Sequence, residues 1–266
     1  MHTLTLLINT TKYDEQVISK RFNIYARLHN IAIKHVKKLI TRLERNNDYK
    51  TYLTEYKQLL QRSKLNQLEK QRKAELNKLL NNIRSDIGLT KANLYVYMKV
   101  VGKKYKANLS SQQVQSIANR VFISVEKYLF GNGKHIHYKK FYDISTIGGT
   151  SNINGVKFNK EALTADWLGL TLKVKLPKDV TYIKESLNSK ISYCEVKRMM
   201  FNNGYHYYLI IYLDGIAPKK LANLNNNSTM GIDPGVSTIA AVSDKQLVIL
   251  LESKKSRYFS DERMSK

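Results

Sequence analysis

Apolar positions divide the chain into a short opening strand, a long helical stretch and a strand-rich stretch. Residues 2–8, Leu4 to Ile8 especially, form a β-favouring run, and a helix start follows at Tyr13-Asp14. Ile18, Phe22, Tyr25, Ala26, His29, Ile33, Val36, Ile40 and Leu43 then recur every three or four residues. That spacing predicts a single apolar stripe on a long helix, with basic residues on its other face. Over residues 49–87 a narrower stripe (Leu59, Leu60, Leu65, Leu68, Leu76, Leu79, Leu80, Ile83) runs through dense Lys, Arg, Gln and Glu, which predicts one helical arm. Two more helices, over residues 91–104 and 111–130, close a bundle; a Ser110-Ser111 cap opens the second.

At Gly131-Asn132-Gly133 the helical period ends, and strands separated by Gly and Asn turns are predicted as far as Leu213. The better ones are residues 136–141, 156–158, 167–176, 191–201 and 205–213. The last two meet at Asn202-Asn203-Gly204, residues that tolerate the positive φ of a tight hairpin. Residues 216–228, with Pro218, Lys219, Lys220 and an Asn run, have the composition of a linker. The opening strand is too short to stand alone and is expected to pair with the β module. The resulting organisation is α+β and multidomain: strand 1–12, inserted helical lobe 13–130, barrel-like β domain 131–215, linker 216–228, and a new domain over 229–266.

Composition narrows the function. The 266 residues hold 45 Lys plus Arg against 21 Asp plus Glu, a formal charge of +24 spread along the whole chain. Such an excess repels itself unless a polyanion balances it. Interleaving with 18 Tyr suits phosphate contact alongside base or ribose stacking, so nucleic acid is the predicted partner. No run of about 18 apolar residues or secretory leader is visible, so no membrane partner and a soluble protein of the cytoplasm are expected. The single Cys194 forms no internal disulfide, and without CxxC pairs no zinc ribbon is predicted.

One segment carries chemistry. Residues 230–243, Met-Gly-Ile-Asp-Pro-Gly-Val-Ser-Thr-Ile-Ala-Ala-Val-Ser, place Asp233 at the end of an apolar strand, before a Pro-Gly turn and a second strand. Gly235 and Ser237-Thr238 keep the approach open for a phosphate or metal ion. Asp-Pro-Gly also occurs simply as a tight turn. A strand-end carboxylate of this kind begins RNase H-like nucleases, where it bridges two Mg²⁺ ions roughly 3.5–4 Å apart.

The string GIDPGVSTIAAVSD resembles the first RuvC motif of the TnpB (OrfB) family, accessory transposases of bacterial insertion sequences and relatives of type V CRISPR effectors. Tyr25-Ala26-Arg27-Leu28-His29-Asn30 resembles the start of their recognition lobe, and Tyr138-Lys139-Lys140-Phe141 with the later hairpin resembles their wedge domain. The resemblance implies a β-barrel-like wedge domain with an inserted helical recognition bundle, followed by the first strands of an RNase H-like (RuvC) domain. It also implies an RNA-guided DNA endonuclease whose partners are guide RNA and target DNA. Asp233 becomes the catalytic and metal-binding carboxylate. Arg21, Arg27, Lys34, Lys37 and Lys38 become candidates to line a heteroduplex, and Lys139, Lys140, Lys197 and Arg198 candidates for the RNA backbone; solvated surface charge is the alternative for each.

The sequence departs from the family's pattern in lacking the later Glu, the Cys-rich element and the second Asp, so the chain reads as C-terminally truncated, with frame-shifted sequence one reading of the tail from Ser260. Glu252 lies too near Asp233 to be the second acid. Mg²⁺ belongs to the intact family; one carboxylate is not expected to hold it stably here. A nuclease-dead RNA-guided DNA-binding protein and an inactive transposase remnant are the alternatives. His135 and His137, alternating on a predicted strand, would make two of the ligands of a metal site, but no third is near in sequence; RNA contact or exposure is the other reading.

Overall fold

The computed structural model describes residues 1–131, 133–177 and 180–218 and, beyond them, the backbone of three short strands. The chain forms two compact units, Met1–Ala217 and Pro218–Lys266.

In the first unit, strand β1 (His2–Asn9) turns its Leu4, Leu6 and Ile8 inward. Helix α1 (Lys12–Arg45) starts at a capping box: Thr11 Oγ1 accepts from the Asp14 N–H at 3.2 Å, and the Asp14 carboxylate accepts from the Thr11 N–H at 2.8 Å. Its inner face buries the predicted stripe, from Ile18 and Phe22 to Leu43. The predicted single arm is a helical pair, α2 (Asn47–Gln61) and α3 (Gln67–Asp86), joined by the Arg72–Glu55 ion pair at 2.8 Å. The break falls where Asn66 and Glu69 form a second capping box, whose local hydrogen bonds outcompete helix continuation. Helices α4 (Lys91–Gly102) and α5 (Ser111–Leu129) complete the bundle, the latter capped by Ser110.

The β module contains β2 (Thr146–Gly148), β3 (Val156–Asn159), β4 (Thr164–Trp167), β5 (Leu170–Lys175), a short helix α6 (Thr181–Leu187), β6 (Ile191–Phe201) and β7 (Gly204–Leu213). With β1 they form one antiparallel sheet of order β2-β6-β7-β1-β5-β4-β3. β1 lies at its centre, between β7 and β5, so the helical bundle is an excursion between two strands of one sheet. Asn152 draws the sheet round towards a barrel. Its N–H donates to Ser192 O on β6 at 3.0 Å, and its Oδ1 accepts from the Phe158 N–H of β3 at 3.0 Å.

Two strand expectations are corrected. Residues 136–141 form no strand; the Lys139 N–H and C=O pair instead with the Asn30 side chain on α1, at 2.9 and 2.8 Å. The predicted strand 167–176 is cut by a hairpin turn, in which Leu168 and Gly169 both take positive φ and Trp167 pairs with Leu170. The β6–β7 hairpin forms at the expected Asn202-Asn203-Gly204, with positive φ on Gly204, at +116°. The two-residue turn Asn202-Asn203 pairs Phe201 with Gly204, so the second strand begins one residue earlier than expected.

The second unit contains β8 (Gly231–Asp233), β9 (Ala240–Ser243) and β10 (Val248–Leu251), an antiparallel sheet of order β10-β9-β8 with Asp233 paired to Ala241. Asn132, most of the predicted linker, the Pro234-Gly235 turn, Ser237-Thr238, the Asp233 side chain, Glu252 and the tail from Ser260 lie outside the described residues.

Candidate nucleic-acid interface

Helix α1 carries the most ordered array of cations in the first unit. Lys20, Arg27, Lys34, Lys38 and Arg45 are spaced by seven, seven, four and seven residues, so they fall on one line opposite the buried stripe. All five are exposed, and none has a carboxylate within ion-pair distance among the described residues. The line runs about 37 Å along the helix. Arg27, Lys34 and Lys38 were legible from the sequence; Lys20 and Arg45 were missed, although the seven-residue spacing would have found them.

Segments far apart in sequence add to this face. The Asn30 amide holds the backbone of Lys139 beside the middle of α1, and Lys37 Nζ stands 4.5 Å over the Tyr138 ring. Lys37, Tyr138 and Lys139 are thereby brought together, with the exposed Lys140 next in line, its Nζ 5.6 Å from the Tyr142 ring centroid. His29, buried behind them, has its imidazole pushed down to about 4, first by burial and then by the Lys139 charge, which keeps it neutral near pH 7. Lys197 is not part of this group. It lies on the opposite face of β6 from Arg198, across from Thr146 and Tyr208.

Two proposed contacts are corrected. Arg21 is only 4% exposed; its guanidinium donates to Trp167 O at 2.5 Å and Leu168 O at 3.0 Å and lies 4.7 Å from the Trp167 ring centroid. Burial pushes its pKa down to about 10, still charged near neutrality, and its donors hold the β4–β5 turn onto α1. Arg198 is equally buried. It donates to Ile144 O at 2.9 Å and to Phe141 O, and is enclosed by the rings of Phe22, Phe141 and Tyr205. Each guanidinium is turned inward, donating to carbonyl oxygens that the packing has stripped of water.

A groove opens along the first half of α1. Its cavity of about 1200 Å³ is lined by Lys12, Lys20 and Arg27 on one wall, Tyr105 and Asn108 from the α4–α5 connection, and Tyr207 from β7. Its acid, Glu15, accepts from Thr10 Oγ1 at 3.0 Å. No Asp or Glu occurs between Asp86 and Glu126, so the helices flanking the groove's far wall contribute Lys91, Lys99, Lys103, Lys104 and Lys106 without opposing charge.

His135 and His137 flank the buried Ile136 in an extended segment that is not a strand, with ring centroids 5.8 Å apart. Among the described residues no group of three or more His, Cys, Asp or Glu is placed to hold a metal ion. No helix among them is long and apolar enough to cross a membrane. Cys194 is a buried strand residue whose thiol burial pushes up to about 12.

No protein-family model and no curated protein matches the chain. Among solved structures, a CRISPR-Cas12f ternary complex is similar at 13% identity and a TM-score of 0.36, over 100% of this chain and 68% of that one. A Cas12f1–sgRNA–target DNA complex is similar at 12% identity and a TM-score of 0.31, over 99% of this chain and 60% of that one. Similarity at this level does not equate the folds, and the functional assignment stands on this chain's own residues.

Proposed function

We propose that this chain is the nucleic-acid-holding part of a TnpB-type RNA-guided DNA nuclease, binding a guide RNA and target DNA. The observation that carries the proposal is the line of unpaired cations on α1, joined by Lys37 and Lys139 and continued into the groove. A helix presenting phosphate-binding cations over about 37 Å matches a nucleic-acid backbone better than it matches a compact acidic ligand. Carbonyl-bound arginines and capping boxes hold that helix rigid against the sheet, so little is lost in ordering when a polyanion docks.

Asp233 is the first metal carboxylate of the cutting centre in this proposal. The reading is supported by the described strand β8, which ends at Asp233, and by the suitability of a carboxylate oxygen for Mg²⁺. Bound there, Mg²⁺ would activate water and stabilise the leaving oxygen of a phosphodiester. Asp233 would be one ligand of such a site.

The test is purification of the chain from cells carrying its genomic surroundings, followed by sequencing of the co-purified RNA. A discrete RNA species, lost when Lys34 and Lys38 are changed to Gln, is the expected outcome. Recovery of no discrete RNA would sink the proposal.

A further inference from the structure

The β6–β7 hairpin runs past the sheet that supports it. On one side, β2 pairs with β6 only as far as Lys197, and the Arg198 N–H makes the last bond, to Ser145 O at 2.8 Å. On the other side, β1 pairs with β7 only as far as Tyr208. Among the described residues, residues 199–206 therefore pair only with each other, as a two-stranded finger.

The finger's chemistry is unlike the rest of the molecule. In a chain of charge +24, residues 199–208 contain no Lys, Arg, Asp or Glu. Its end is apolar on both faces. By strand alternation Met200 and Tyr205 share one face, while Met199, Phe201 and His206 occupy the other. Met200 is 68% exposed and Phe201 43%. The end is also held in shape: Phe201 meets the His206 ring edge-on at 4.9 Å, and Asn203 Oδ1 is 2.9 Å from His206 Nε2. At its root, Arg198 anchors Tyr205, and Tyr207 lines the cationic groove beside Lys12, Lys20 and Arg27.

A thin blade apolar on both sides, rooted in a phosphate-binding groove, fits the gap between two stacked bases, where Met and Phe act as wedges. We infer that the finger inserts Met200 and Phe201 between adjacent bases of the strand whose backbone lies in the groove. The inference rests on the nucleic-acid-binding function proposed above and adds to it a place where the stack is opened.

Two polymers of equal length separate base contact from phosphate contact: a mixed-sequence single-stranded oligonucleotide carrying 2-aminopurine, and an abasic sugar–phosphate chain. The full chain should bind both and brighten the 2-aminopurine as stacking is relieved. In the double variant Met200→Ser, Phe201→Ser, oligonucleotide affinity should fall roughly 5- to 150-fold, the range for losing a base stack, while abasic affinity stays unchanged and the brightening disappears. Lys20→Gln with Arg27→Gln should weaken both polymers alike. Equal loss on both polymers in the finger variant, or no loss on either, overturns the wedge. Failure of the unaltered chain to bind either polymer removes the nucleic-acid function itself. Because the substituted side chains project from the body, the variant's thermal melt should match the parent's, which excludes unfolding as the cause of any change.

Discussion

Two arginines of the same chemical type do opposite work in this molecule. Arg21 and Arg27 lie on one helix, six residues apart; the first caps carbonyls of the β4–β5 turn, the second faces solvent on the cationic line. Arg21→Met should cost about 2–4 kcal/mol of stability through lost charged hydrogen bonds and the ring contact. It should leave the salt dependence of nucleic-acid binding unchanged. Arg27→Gln should do the reverse: denaturant midpoint unaltered, and the slope of log affinity against log salt reduced by about 0.7–0.9. Urea melts and binding titrations at several salt concentrations check both. His29 makes the residue scale pH-dependent. Its folded pKa, near 4, lies below the ordinary value of 6.5, so the unfolded chain takes up a proton first as pH falls. The stability it protects is whole above about pH 6.5 and is lost as pH drops towards 4, by about 3 kcal/mol in all. His29→Gln should flatten that part of the urea-midpoint profile against pH; an unchanged profile would assign the acid sensitivity to other groups.

At the scale of elements, what could be read in advance depended on whether one stretch of sequence settled the matter. The α1 stripe did so, because residues 18–43 repeat one period, although the start expected at Tyr13-Asp14 is set by the capping box at Thr11 and Asp14. The arm did not: leucines continue at helical spacing through the break, and only the Asn66–Glu69 pair signals a second N-terminus. Asn66→Ala should accordingly cost about 1 kcal/mol, read as an earlier loss of helical circular dichroism on heating. Residues 136–141 look like a strand because they alternate, yet Asn30, distant in sequence, takes the backbone bonds a neighbouring strand would have made. The burial of Arg198 and the partners of Arg21 were illegible for the same reason, although Arg21, three residues after Ile18 and four before Tyr25, falls on the buried face by the helix period. Their acceptors are carbonyl groups far along the chain, and no local pattern reveals a carbonyl that folding will strip of water. Exposure of the cationic line, by contrast, follows from the helix period alone, which is why Arg27, Lys34 and Lys38 were accessible to sequence reasoning.

For the whole molecule, the charge of +24 sets two salt dependences with opposite signs. Without a polyanion, cations distributed over the fold repel one another, and the repulsion reaches farther at low ionic strength, where the screening length is about 30 Å at 0.01 M against about 10 Å at 0.1 M. The free chain should therefore melt at a higher temperature as sodium chloride is raised over that range. With a structured RNA bound, the phosphates supply the missing negative charge and the complex releases counterions as it forms, so added salt weakens it. Stabilisation by RNA should thus be largest at low salt and shrink as salt rises, until the melting curves of free and RNA-bound protein converge. Thermal denaturation across a salt series, with and without RNA, reads both trends in one experiment. A melting temperature indifferent to salt in the free chain would mean that the cations are already balanced within the fold, leaving no excess charge for a nucleic acid to neutralise.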